Sequence, residues 1–199
     1  QNNHFIKEDI DGYNKYILHL YNTTEANIVD NTFTGQYEFV ESNDYMPEEY
    51  NYSGVCILLS TTTNTFIDGN YVLNFYTFVK YGWYAGNLEY ENWNVTISNN
   101  FIENGDILMG SSSAAVPSST TYINNNIILN STITVQGYTE IISNLLYWEY
   151  GNSYTDAIDT YGYQHTNNNA KIIGNTINGY NKGIDVSETN ITITNNSIT

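Results

Sequence analysis

The chain alternates apolar and polar residues in short bursts, and each burst breaks at an asparagine. In the closing stretch, residues 190–199, Ile191 and Ile193 share one side of a two-residue period, Asn196 follows, and Ile198 comes two residues later. The spacing recurs as Ile28–Asn31–Phe33, Ile67–Asn70–Val72, Ile97–Asn100–Ile102, Ile123–Asn126–Ile128, Ile141–Asn144–Leu146 and Ile172–Asn175–Ile177. The copies are separated by 39, 30, 26, 18, 31 and 21 residues, an average of about 27 that falls in the range of solenoid repeats. Two residues before each first apolar position stands another apolar or small residue: Ala26, Thr65, Val95, Thr121, Thr139, Ala170 and Ile191. Each copy predicts a strand with alternate side chains inward, a tight turn at the Asn, and a second strand. Asn tolerates the left-handed backbone, so the repeated Asn is expected to form the corner itself. An inward carboxamide is costly unless bonded. Stacking supplies the bonds, to backbone and to the Asn of the next coil, as a ladder.

A further apolar element precedes most copies: Ile17 and Leu18; Gly54, Val55 and Ile57; Ile107; Ile133 and Val135; Ile158; and Gly183, Ile184 and Val186. The third coil's version, within residues 75–86, is ambiguous. Three short strands per coil, with equivalents stacked in parallel, bury an apolar face that no single repeat buries alone. The expected fold is all-β: a parallel β-helix of about seven coils, some 34 Å long at roughly 4.8 Å per coil. It occupies one domain, 1–199, with an N-terminal segment 1–14 and coils over 15–199. A β-sandwich is the alternative, but hairpin signals are few.

The stretch 175–199, Asn-Thr-Ile-Asn-Gly-Tyr-Asn-Lys-Gly-Ile-Asp-Val and onward, resembles the right-handed parallel β-helix repeats of pectate-lyase-like folds and of archaeal and bacterial cell-surface proteins. The resemblance implies right-handed coiling. It does not fix a function, because this repeat is a fold signature.

Composition narrows the functional classes. The 199 residues hold 32 Asn, 23 Thr, 14 Ser and 20 Tyr, but only five lysines and no arginine, against 21 carboxylates, for a net charge of −16. Clustered Lys and Arg are absent, which argues against nucleic acid as a partner. No apolar run approaches the roughly 20 residues of a membrane-spanning helix, so membrane insertion is not expected. Wealth in Tyr, Asn and Thr suits an extracellular, cell-surface protein. Uneven coil lengths predict long aromatic loops over residues 37–53, 73–94, 110–120 and 147–168, suited to subunit contacts or sugar stacking. Trp83 and Trp148 are the candidate contact residues.

Candidate chemistry is sparse. Lyases of the resembled fold use a basic residue, often Arg, with carboxylate-bound calcium; this chain has no Arg. The best acid pair is Asp156 with Asp159, near His165, and a glycosidase needs two carboxyls about 5–10 Å apart across a cleft. His4 and His19 sit in unrelated contexts. Asp9, Asp11 and Asn14 resemble the start of a calcium loop but lack its distal bidentate Glu; Glu48–Glu49 is an equally weak cation candidate. No cofactor other than Ca2+ is a candidate. Glycosylation triplets begin at Asn22, Asn51, Asn94, Asn130, Asn190 and Asn195, a number that so Asn-rich a chain reaches by chance. Asn94 and Asn190 precede inward residues and should point outward. Cys56 is the one cysteine; aligned with Asp185 it faces outward, a candidate for an intersubunit bond, whereas a covering loop would bury it.

The expected function is that of a non-enzymatic extracellular structural protein. It would assemble with itself into a sheath, filament or surface layer through coil ends and aromatic loops. The alternatives are a carbohydrate-binding adhesin, whose partners are glycans, and a polysaccharide lyase or hydrolase.

Overall fold

The computed structural model describes residues 3–6, 16–40, 49–60, 62–81, 94–109, 120–149, 155–160, 169–187 and 190–199. They form a right-handed parallel β-helix with three parallel sheets running its length. The shortest coil shows the unit: Ile133–Val135 in sheet I, Tyr138–Ile142 in sheet II and Leu145–Tyr147 in sheet III. Sheet III gains an eighth strand, His4–Ile6, which pairs with Thr32–Thr34. The stack of coils therefore begins inside the segment that sequence reading set apart as 1–14.

Register follows the repeat. In sheet II the inward positions stack as Ile28, Ile67, Ile97, Ile123, Ile141, Ile172 and Ile193. In sheet III, Phe33, Val72, Ile102, Ile128, Leu146 and Ile177 lie in one column and are buried. Sheet I aligns Leu18, Ile57, Val79, Ile107, Ile133, Ile158 and Ile184. This settles the ambiguous third coil, whose element is Phe75–Tyr81 with Val79 inward. Each buried aliphatic side chain contributes about 1.5–3 kcal/mol relative to exposure, and stacking like on like leaves little room for a void.

Two of the expected loop segments contain the sheet I strands expected of their coils: Phe75–Tyr81 lies within 73–94 and Asp156–Thr160, with Ile158, within 147–168. In 37–53, Tyr37–Val40 runs antiparallel to the start of Glu49–Ser60, pairing Tyr37 with Tyr52 and Val40 with Glu49. The remainder of those segments lies outside the described residues.

The corner between sheets II and III has one length in all seven coils, and the sharp bend is not made by the repeated Asn. The residue before it takes the left-handed conformation: Asp30, Gly69, Asn99, Asn125, Ser143, Gly174 and Asn195, with φ between 54° and 66°. Asp, Asn and Gly are the types that enter this region most readily. The bend turns the following Asn inward with an ordinary backbone, which corrects the expected placement. The corner continues the backbone ladder as well: Asn99 donates to the Asn124 carbonyl at 3.1 Å and Ile127 to the Asn100 carbonyl at 2.9 Å.

Candidate functional site

The seven predicted ladder residues, Asn31, Asn70, Asn100, Asn126, Asn144, Asn175 and Asn196, form one continuous hydrogen-bonded column. All except Asn196 are buried. Each Oδ1 accepts two bonds from the Asn of the preceding coil, one from its backbone N–H and one from its Nδ2. For Asn126 both measure 3.0 Å, from Asn100; for Asn144 both measure 2.9 Å, from Asn126. The Nδ2 also donates across coils, from Asn126 to the Ile97 carbonyl at 2.9 Å and from Asn144 to the Ile123 carbonyl at 2.8 Å. The column thus meets the requirement that an inward amide find partners for both of its ends.

Asn3 is an eighth rung that sequence reading missed. Its backbone N–H and Nδ2 donate to Asn31 Oδ1 at 3.2 and 3.1 Å, and Phe5 stacks on Phe33 with ring centroids 5.0 Å apart. The signal was present as half a motif: Asn3 and Phe5 keep the Asn-to-apolar spacing, with no described first strand before them.

All the bonds between rungs point the same way. Every rung donates toward the C-terminal coil and accepts from the N-terminal side. At the last coil the Asn196 Nδ2 reaches the Ile172 carbonyl at 2.8 Å, and among the described residues its backbone N–H meets no acceptor. At the first coil nothing among the described residues donates to Asn3 Oδ1. Ile193 is 44% and Ile198 52% exposed, whereas their equivalents from Ile28 to Ile177 are buried.

A second row of left-handed residues occupies the corner four residues further on: Asn74, Asn104, Asn130 and Gly179. Asn104 Nδ2 donates to Asn74 Oδ1 at 3.0 Å, and Asn130 Oδ1 accepts the Glu149 N–H at 2.8 Å. This row was legible in Asn recurring four after the ladder Asn, a regularity left unused.

The remaining candidates scatter. Asp156 and Asp159 share one strand in sheet I, facing Lys182 and Asp185 of the next coil. Lys182 Nζ lies 3.4 Å from Asp156 and 2.9 Å from Asp185. Burial, and then the charges of Asp185 and Asp156, push the Asp159 carboxyl up, while the Lys182 hydrogen bond holds Asp185 down. Lys182 thus bridges Asp156 on the adjacent strand and Asp185 on its own. Among the described residues no group of three or more His, Cys, Asp or Glu is disposed to hold a metal. His4 contacts Thr34 and His19 contacts Ser60, at 3.5 and 3.1 Å. Asp9, Asp11, Asn14, Glu48, Trp83 and His165 lie outside the described residues, as do the side chains of Glu49 and Asn51.

Asn22, Asn94, Asn190 and Asn195 are exposed, the second and third as expected from their neighbours; Asn130 is half-buried. Trp148 is half-buried with its ring 5.5 Å from that of Tyr180. Cys56 takes the buried one of its two expected placements, and it does not align with Asp185. Ile57, not Val55, falls in the column that ends at Ile184, so Leu58 takes the place of Asp185. The thiol is 0% exposed and belongs to the core cluster, out of reach of another chain.

Outside the rod, the faces differ in charge. Sheet II carries Asp68, Glu140 and Lys171, with Lys171 Nζ 2.7 Å from Glu140. The lysine and the Tyr138 hydroxyl hold the Glu140 carboxyl below its usual range. Sheet III presents Thr32, Tyr71, Phe101, Ile127, Leu145 and Thr176 in one outward row.

No protein-family model, curated protein or solved structure matches the chain. Coil geometry and ladder define its class, the right-handed parallel β-helix.

Proposed function

We propose that this β-helix is a non-enzymatic structural protein of the cell exterior that polymerises head to tail, with the asparagine ladder continuing from one copy into the next. One observation carries the reading: the ladder is one-directional. Each rung donates to the next and accepts from the one before, so a ladder from a second copy stacked along the same axis meets it with matching groups. A head-to-tail contact does not close on itself and propagates as a fibre. The −16 charge, carried without arginine, keeps such rods apart laterally and soluble before assembly. The likeness of the repeat to those of prokaryotic surface and sheath proteins agrees with a location outside the cell.

Negative-stain microscopy tests this. Filaments with a subunit rise near 38 Å, eight rungs at about 4.8 Å each, are expected of the purified chain. Asn3→Leu, which removes the Oδ1 that would accept from a stacked copy at an exposed rung, should shorten them while thermal unfolding stays within a few degrees. Single rods at every concentration, with the variant indistinguishable, would overturn the proposal, and saturable glycan binding by such rods would point to an adhesin.

A further inference from the structure

We infer that Asn94 and Asn190 are attachment sites for N-linked glycans, carried on the outer face of sheet II. The sites presuppose the cell-exterior reading above and add a modification to it. Of the six triplets, those at Asn94-Val95-Thr96 and Asn190-Ile191-Thr192 open strands of sheet II, Asn94–Ser98 and Asn190–Thr194. Both asparagines stand in one outward column with Thr120, Tyr138 and Asn169. Strand alternation puts the asparagine and the threonine two residues on at the outer face and turns the residue between them inward. Val95 is 0% exposed, whereas Asn94, Asn190 and Thr192 are exposed and Thr96 is half-buried. A glycan transferase reads the carboxamide and the hydroxyl together, and here both are offered from one side of an extended segment. Val95 with Thr96, and Ile191 with Thr192, are β-branched pairs that favour this extended form before the coils stack.

Packing separates these two from the other described triplets. In the transfer, Nδ2 forms a bond to the anomeric carbon of an oligosaccharide carried on a polyprenyl pyrophosphate. The sugar–phosphate bond breaks, the lipid pyrophosphate leaves, and Nδ2 loses one of its two protons. The other proton stays. At Asn94 that one N–H suffices for the bond to Asn64 Oδ1 at 3.2 Å, so the glycan displaces no contact. Asn130 is half-buried, and its Oδ1 is held by the Glu149 N–H at 2.8 Å. The next residue, Ser131, is fully buried, with Oγ donating to the Leu129 carbonyl at 2.9 Å and accepting from the Gly105 N–H at 2.7 Å. A bulky, hydrated sugar at Asn130 would lift this corner off the core. At Asn195 the left-handed bend, φ 56°, carries Ser197 onto sheet III, so carboxamide and hydroxyl no longer share a face. Asn22 bends in the same way, with φ 51°. Four steps of the stack separate Asn94 from Asn190, roughly 19 Å, which leaves each glycan its own surface.

Glycopeptide mass spectrometry of the full chain, isolated from the cells that make it, tests the inference. Sugar is expected on the peptides that hold Asn94 and Asn190, and the Asn130 peptide should be bare. Thr96→Ala should strip the glycan from Asn94 alone and Thr192→Ala that from Asn190 alone, while Thr96→Ser and Thr192→Ser keep both. Circular dichroism checks that each variant folds. If Thr96→Ala does not, Thr192→Ala, at the exposed threonine, carries the test. Bare Asn94 and Asn190 in the folded chain, or a glycan on Asn130, would overturn the inference. Labelling of intact cells with a membrane-impermeant amine reagent reports location separately. A labelled chain with both peptides bare sinks the glycan sites and leaves the cell-exterior reading standing.

Discussion

Replacing Asn126 by Asp changes one amide nitrogen to an oxygen at the centre of the ladder. That nitrogen faces three acceptors: the Ile97 carbonyl at 2.9 Å, the Asn124 carbonyl at 3.2 Å and Asn144 Oδ1 at 2.9 Å. On the other side, Asn100 still donates twice to Oδ1. If the new carboxyl stays protonated, its single O–H serves one acceptor and strands the rest, a loss of about 1–3 kcal/mol. If it ionises, a buried charge stands among oxygens with only the Asn100 donors to solvate it, and the loss rises to about 3–5 kcal/mol. The folded-state pKa of the introduced carboxyl is therefore raised above the unfolded value of about 3.9. The folded chain binds more protons than the unfolded one between these two values. Stability relative to the natural chain is thus highest below about pH 4 and falls by about 1.4 kcal/mol per unit as the pH rises toward the folded pKa. Urea unfolding followed by far-ultraviolet circular dichroism, at pH 4 and pH 7, measures both quantities. Asn125→Asp is the control: the same chemistry one residue earlier, at an exposed left-handed position, with an expected change within about 0.5 kcal/mol. A loss below about 1 kcal/mol at pH 7 for Asn126→Asp, or the same loss at both pH values, would refute the ladder as a stabilising device.

Three further outcomes are expected. Gly174→Asn should be nearly neutral, since its φ of 66° suits Asn and a Cβ there finds its nearest neighbour, Ser143 Oγ, at 3.7 Å; Gly179→Ala should cost more than about 2 kcal/mol in the same urea assay, because its Cβ would strike the Trp148 carbonyl. Cys56 should react with a maleimide only at the rate of unfolding, and non-reducing gels should show no linked dimer of the natural chain; fast labelling would contradict its burial. Glu140, whose folded pKa is depressed by Lys171 and Tyr138, contributes stability above its unfolded value of about 4.3 that is lost as the pH falls through the folded pKa. Glu140→Gln should lack that component of the acid transition, and an unchanged acid midpoint would count against the contact.

The ladder was readable because it obeys a fixed local rule. Ile, two residues, Asn, one residue and an apolar residue appear wherever the chain turns from sheet II to sheet III, and the structure stacks them all. The left-handed residue just before was missed because four different types, Asp30, Gly69, Asn99 and Ser143 among them, satisfy one backbone requirement. Sheet I was harder to align, since nothing in Ser53–Gly54–Val55–Cys56–Ile57 marks which of Val55 and Ile57 begins the inward column. Shifting by that one choice moved Cys56 onto the place of Asp185. The apolar outer face of sheet III was invisible to patterning for a related reason: Tyr-Val-Leu, Ile-Ile-Leu and Leu-Leu-Tyr are apolar throughout, so alternation cannot say which side chains are left outside.

The ladder corner keeps its length while the rest of each coil does not. Bonds of 2.9 Å join Asn126 to Asn144 across 18 residues and Asn70 to Asn100 across 30. The hydrogen-bonded spine is therefore indifferent to how far the chain wanders between its fixed corners, and loop closure grows only slowly more expensive with length. Such a scaffold can host grafted peptides: a guest sequence spliced after Val135, in the coil that now returns by the shortest route, would ride on the outside of the rod with the spine beneath it unaltered.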